Sequence, residues 1–200
     1  NMKSLQKVII ESDSEIDIGS GCFSGSEKLE FAKIVGKNVS LSNNCFMNCK
    51  SISNIIIDGA SNIKLGTGIF NNCNKLISIV LNASSSLAFL EKCFNGSKLE
   101  TIDIKGPKVE IENECFSNCY SLQQLKIENV KDLTIGSNAF NKCNKITNFI
   151  FNASSSLTFL EKCFNGSSFE TIEINSQKVK IENECFSNCY SLQQLKIENV

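Results

Sequence analysis

Apolar side chains recur along this chain in a fixed order. A Phe preceded by a small or apolar residue stands at Phe23, Phe46, Phe70, Phe94, Phe116, Phe140, Phe164 and Phe186, at intervals of 22 to 24 residues. Five or six residues after each Phe comes an apolar triplet, as in Leu122, Leu125 and Ile127 or Leu192, Leu195 and Ile197. The last two members alternate as a strand does, which turns them inward and leaves Lys126 and Glu128 facing water. A second alternating pair precedes each Phe, seen as Val109 and Ile111, Leu133 and Ile135, or Val179 and Ile181. Each turn thus holds two short extended pieces and a Phe-bearing corner.

A turn of this length has too little surface to bury such positions alone. Successive turns must stack, so that each inward position becomes a column along the axis of a solenoid. A longer period is nested in the short one, because CFSNCYSLQQLKIENV at 115–130 recurs unchanged at 185–200, and FLEKCFNGS at 89–97 recurs at 159–167. A three-turn block of 70 residues has been copied. The chain opens directly on Leu5, Val8 and Ile10 of a strand and stops at Val200 just after another. Terminal repeats usually carry a polar outer face, so residues 1–200 are expected to form a single array of about eight repeats, cut from a longer one.

The order of residues within a turn resembles the BspA-like leucine-rich repeats, also called the Treponema pallidum type. That pattern runs through an Ala-Phe or Cys-Phe, a Cys and a Leu-x-x-Leu-x-Leu strand. It is matched here by Ala139, Phe140, Cys143, Ile146, Phe149 and Phe151, and by Cys115, Phe116, Cys119, Leu122, Leu125 and Ile127. The likeness extends over nearly the whole chain, without the proline that commonly follows the strand and with shortened turns after Phe94 and Phe164. It implies a β-rich solenoid: a leucine-rich repeat right-handed superhelix with a parallel strand sheet and short helical or 3-10 corners. It also implies kinship with large surface proteins of bacteria and protozoa involved in adhesion.

Composition narrows the functional classes. With 20 basic and 21 acidic residues, the chain has no net field to draw nucleic acid or an anionic membrane. No apolar run approaches the ~20 residues of a membrane helix, and NMKSLQKVII lacks the regions of a signal peptide. Histidine is absent, which removes the commonest general base and a common metal ligand. Proline occurs once, at Pro107, so turns fall to Asn, Ser and Gly.

The eleven cysteines fall into two columns of the repeat. Cys22, Cys45, Cys93, Cys115, Cys163 and Cys185 precede the Phe, where Ile69 and Ala139 stand in other turns; Cys49, Cys73, Cys119, Cys143 and Cys189 follow it by three. A place that accepts Ile or Ala suits a free cysteine as a small apolar side chain, and buried packing is the expectation. Pairs such as Cys45 with Cys49, Cys115 with Cys119 or Cys185 with Cys189 supply only two thiols each, in turns about 14 Å apart at ~4.8 Å per turn. A closed zinc site normally takes four ligands. Column neighbours such as Cys22 and Cys45, or Cys119 and Cys143, fall within disulfide reach, while the odd total argues against complete pairing. A cysteine nucleophile would have no histidine partner, and Glu110, Glu112, Glu114, Glu182 and Glu184 read as solvated faces. No catalytic, cofactor or metal residues are therefore assigned, and an enzyme is not expected.

What remains is the outward row of the first strand in each turn: Ile9, Lys33, Ile56, Val80, Asp103, Lys126, Ile150, Glu173 and Lys196. Ile56 beside Val80 is the one apolar neighbour pair in this row, and an exposed apolar patch can mark a contact site. With Asn54, Asp58, Ser78, Asn82, Thr101, Asp103 and Lys105 around it, this patch is the candidate partner-binding surface. The expected activity is protein binding, in surface adhesion or recognition of a host or matrix protein at the cell surface. The alternative is a cytoplasmic scaffold within a larger assembly. Asn-x-Ser acceptors at Asn38, Asn82, Asn95, Asn152 and Asn165 would carry glycans in the first case, although an Asn- and Ser-rich composition yields such triplets by itself.

Overall fold

The computed structural model describes residues 2–198, so Val200 lies outside the described residues. Among the described residues fifteen strands follow one another: β1 (Lys7–Glu11), β2 (Glu15–Ile18), β3 (Phe31–Val35), β4 (Asn38–Leu41), β5 (Asn54–Asp58), β6 (Asn62–Leu65), β7 (Ser78–Asn82), β8 (Ser86–Phe89), β9 (Thr101–Lys105), β10 (Lys108–Ile111), β11 (Gln124–Glu128), β12 (Val130–Ile135), β13 (Asn148–Phe159), β14 (Thr171–Ile181) and β15 (Gln194–Glu198). The two extended pieces of each turn build two parallel sheets. One runs β1-β3-β5-β7-β9-β11, and the other runs from β2 through β4, β6, β8, β10, β12, β13 and β14 to β15. In β13 and β14 both pieces of a turn fuse into one long bent strand, with a register shift between Ala153 and Ser156 marking the bend.

Alternation sets which face is buried. In β5 and β10, as in most strands, even positions of the pattern point inward and the rest outward. In-register pairing then stacks like on like: Ala32 meets Ile55, Ile79 meets Ile102, and Leu41 meets Leu65. The Phe column closes the corner. Seven successive stacked pairs run from Phe23 to Phe186, with centroids 5.0 to 5.9 Å apart and planes within 24°. Offset stacking of this kind adds about 0.5–1.5 kcal/mol per pair beyond the area buried.

The corners are not helical, which corrects the expectation of helical or 3-10 segments; no helix occurs among the described residues. Two residues in the left-handed region flank each Phe, two positions before and two after: Gly21 and Gly25 around Phe23, Asn44 and Asn48 around Phe46, and Glu114 and Asn118 around Phe116. This alternation turns three amides of a corner toward the next turn. Glu114, Phe116 and Asn118 donate to the carbonyls of Ser137, Ala139 and Asn141 at 2.9, 2.8 and 2.9 Å. A helix would have spent those amides within its own turn. The corner is thus a third ladder beside the two sheets, and it satisfies backbone groups that would otherwise be buried unpaired.

One break interrupts this regularity. Most neighbouring strands of the first sheet pair across five residues, but β5 and β7 share only Ile56–Val80 and Ile57–Leu81. Seventy residues on, β11 and β13 occupy the copied position and share no paired register. There the inward residues of β13 are Phe149 and Phe151, packed edge to face at 3.9 Å, where β7 has Ile79 and Leu81. Leu125 and Ile127 on the neighbouring strand are less covered, at 9% and 8% exposure, than Ile102 and Ile104 at 1% and 0%.

Candidate functional site: the outer face of the first sheet

The outward row forms as the alternation requires. Ile9 pairs with Lys33, Lys33 with Ile56, Ile56 with Val80, and Val80 with Asp103, so Ile56 and Val80 are direct neighbours on one face. Ile56 is 37% exposed and Val80 is 49% exposed. The face is not flat at this step. Where β5 and β7 part, a cleft of about 590 Å³ opens, lined by Asn54, Ile56, Asp58, Ser78, Val80 and Asn82. These six are candidate residues of the sequence reading, brought together at one break in the sheet.

The remaining three lie on β9, the next strand, and are half-buried. Thr101 donates through its hydroxyl to Ser78 Oγ at 2.8 Å, which joins the rim to the cleft. Lys105 Nζ lies 3.8 Å from Asp103 Oδ2 and 3.2 Å from Glu128 Oε2. Lys126 and Lys105 together hold the Glu128 carboxyl below its ordinary pKa by hydrogen bonding and charge. Asp103 Oδ1 is shielded from water and makes no hydrogen bond among the described residues. The rim is therefore charged and partly locked, while the centre is apolar and open. That arrangement, an apolar centre within a polar rim, is the common anatomy of a protein contact surface.

Sequence reading missed part of the apolar surface. Ile77 is 50% exposed at the mouth of the cleft, at a place where Ser53, Glu100, Gln123 and Glu170 stand in other turns. Phe31 and Val35 also face outward on β3, half-buried, with Lys7 Nζ 5.2 Å from the Phe31 ring centroid. The signal was available, since both occupy positions that the alternation of β3 turns to solvent. The apolar outer surface is concentrated on the turns before Asp103. In the copied block its counterpart of Ile56 is Lys126, although Ile150 keeps the place of Val80.

The cysteine columns are buried, with two departures: Cys22 is exposed and Cys189 half-buried. In the second column the thiol has a specific role that packing alone did not suggest. Cys49, Cys73, Cys119, Cys143 and Cys189 each donate to the carbonyl of the Phe one turn back, at 3.1 to 3.2 Å. Ser167 does the same to Phe140 at 2.5 Å. Ser26 and Ser97 occupy this column too, so its residues are all small and all carry a donor. Burial pushes the thiol of Cys49 up to about 11 and those of Cys45 and Cys119 up to about 12, which leaves them protonated and poor nucleophiles. No cluster of three or more potential metal ligands occurs among the described residues.

The Asn-x-Ser acceptors lie in two settings. Asn82 and Asn152 are exposed, whereas Asn38, Asn95 and Asn165 are half-buried. Asn38 donates to Glu15 at 3.0 Å and accepts from Asn62 at 2.8 Å, and Asn165 accepts from Asn188 at 2.8 Å. These amides belong to ladders that tie one turn to the next.

Two parallel sheets, a Phe column and a repeated corner make each turn of the solenoid one repeat. The model of the BspA type leucine rich repeat region matches residues 1–123 and 109–200 in six copies. The chain belongs to the BspA-type leucine-rich repeat family. Among solved structures it is similar to a leucine rich cell surface protein from Faecalibacterium prausnitzii, with 17% identity and a TM-score of 0.51 over 95% of this chain and 69% of that one. It is also similar to a leucine-rich repeat protein from Bacteroides ovatus, with 17% identity and a TM-score of 0.46 over 97% of this chain and 71% of that one. No curated protein matches it. The first of these likenesses speaks to the fold alone, a leucine-rich repeat solenoid.

Proposed function

We propose that this BspA-type array is a non-catalytic binding module that holds a protein partner on the outer face of β5, β7 and β9. The observation that carries this reading is the cleft at the β5–β7 break, where Ile56, Ile77 and Val80 are exposed beside a polar rim. Exposed aliphatic side chains in a concavity lose water on contact, at roughly 25 cal/mol per Å² of apolar surface covered. A rim of Asp58, Asp103 and Lys105 then selects among partners by charge. Display at the cell surface, with adhesion as the outcome, is the form of this function we favour. The cell-surface description of the Faecalibacterium prausnitzii protein supports it by analogy.

The test compares the wild-type chain with the double variant Ile56→Asp, Val80→Asp in surface plasmon resonance against immobilised matrix proteins and detergent-extracted host surface proteins. Both residues face out, so the circular dichroism spectrum stays unchanged, and affinity for the bound partner falls at least about 30-fold, as for loss of a contact hot spot. Equal affinity in a folded variant refutes the assignment of this face.

A second reading, an intracellular scaffold, is favoured by the unbridged thiols, since a chain rich in free cysteine suits a reducing compartment. Antibody labelling of intact against permeabilised cells separates the two.

A further inference from the structure

Two cysteines of the first column face each other across successive turns. The Sγ atoms of Cys163 and Cys185, in successive turns, lie 3.1 Å apart. Their backbones are held in register by the amide of Phe164, which donates to the carbonyl of Cys185 at 3.0 Å. The second-column thiols are each directed onto a Phe carbonyl; here one sulfur faces another, and Cys185 Sγ also donates to the Leu160 carbonyl at 3.3 Å. In the duplicated block the same two column positions are held by Cys93 and Cys115.

A disulfide requires a sulfur separation of about 2.05 Å and Cα atoms roughly 4.4–6.8 Å apart. Turns stacked at about 4.8 Å meet the second condition. About 1 Å of approach by the sulfurs, achieved through side-chain rotation, meets the first. The two partners differ in access: Cys185 retains 3% exposure and Cys163 none. They also differ in acidity. The hydrogen bond from Cys163 lowers the pKa of Cys185, while burial raises that of Cys163.

We propose that Cys163 and Cys185 are a peroxide-modifiable site that closes into a covalent staple between two turns of the array. The Cys185 thiolate attacks one oxygen of hydrogen peroxide, breaking the O–O bond and releasing hydroxide, and becomes a sulfenic acid. Cys163 then gives up its proton and its sulfur attacks that of Cys185, displacing hydroxide, which leaves as water. Two thiols and one peroxide yield one disulfide and two waters; the sulfurs lose two electrons and the peroxide gains them. The site differs from the remaining thiols in having an acceptor sulfur already in place. An oxidised Cys143, for example, would face only the Phe116 carbonyl.

The full chain is treated with a modest excess of hydrogen peroxide at pH 7.5, alkylated and digested with trypsin. Cleavage after Lys162, Lys178, Lys180 and Lys196 puts Cys163 in peptide 163–178 and Cys185 in peptide 181–196. The copied pair falls in the different peptides 93–98 and 109–126, so the two sites are told apart by mass. The expected product is the 163–178 to 181–196 linkage, in at least about tenfold excess over linkages at Cys22, Cys45, Cys49, Cys73 and Cys143, with fragment ions placing it on Cys185 rather than Cys189. Cys189→Ser retains the linkage and Cys185→Ser loses it; in concentrated urea the excess disappears. Linkages spread evenly in the folded chain, oxidation of Cys185 to the sulfinate without linkage, or a bridge that persists in Cys185→Ser each overturns the proposal.

Discussion

Removal of one ring from the Phe column tests the physics of the stack most directly. Phe116 is fully buried and lies between Phe94 at 5.1 Å and Phe140 at 5.0 Å, both within 6° of parallel. Phe89 tilts against it at 6.0 Å. A buried Phe hides about 150–250 Å², worth roughly 4–6 kcal/mol at 25 cal/mol per Å². Alanine keeps its own β-carbon in the core, and partial collapse of the cavity recovers a little more, so Phe116→Ala is expected to cost about 3–5 kcal/mol. Because each turn touches only its neighbours, the loss is concentrated at the fifth corner, and unfolding ceases to be two-state as the halves on either side separate. Urea titration followed by far-ultraviolet circular dichroism reads the loss, and amide exchange locates it. Phe31→Ala is the control: a half-buried ring on the outer face, with Lys7 over it, whose loss costs about 1 kcal/mol. A cost below about 1 kcal/mol at Phe116, or equal costs at both sites, would show that the column does not carry the fold.

Other expectations follow from the corners and the thiols. Lys142 holds φ 59° at the position where seven other turns have Gly or Asn, so Lys142→Gly is expected to stabilise the array by about 0.5–1 kcal/mol after the entropy of the unfolded glycine is discounted, read as a rise in the urea midpoint. A destabilised variant would place another constraint on that corner. Cys143→Ser keeps a donor to the Phe116 carbonyl and Cys143→Ala does not; the serine variant should be the more stable by about 0.5–1.5 kcal/mol, and the reverse order would assign the column to packing alone. The thiols of Cys45, Cys49 and Cys119 have folded pKa values of about 12, 11 and 12 against an ordinary value of 9.0. The unfolded chain loses these protons first, so their contribution is fully present below pH 9 and is lost between about pH 9 and 12. Denaturation midpoints across pH 8 to 11 check this, and an unchanged midpoint in that window counts against burial of the thiols.

Much of this architecture can be read from residue order. The Phe interval located the corners, and alternation in segments such as Leu125 to Ile127 identified inward and outward positions, because a strand has only two faces. The corner conformation was harder to recognise. At the place two residues after Phe, Gly25, Asn48, Asn72, Gly96, Asn118, Gly166 and Asn188 are all types that tolerate the left-handed region, which is a legible signal. Two residues before Phe, however, Lys92, Glu114, Lys162 and Glu184 take the same conformation and conceal it. The cleft could not be read at all. Ile55, Ile57, Ile79 and Leu81 look like any other inward residues, and the separation of β5 from β7 is a property of how two strands meet. Family membership follows from residue order, whereas the partner must be sought on a surface whose shape appears only in three dimensions.

The corner ladder has an electrical consequence. In a parallel sheet the peptide groups of one strand point alternately to either neighbour, so their dipoles largely cancel. Around Phe116 the three bonded amides all point toward the later turn and the carbonyls they meet all point back, as they do around Phe46 and Phe164. Aligned peptide units of about 3.5 D each then add along the axis, as in an α-helix, but with the positive end toward the later turns. The solenoid is therefore a polarised rod whose moment grows with every block copied into it. Its corners present carbonyls on the side of the earlier turns and amides on the side of the later ones.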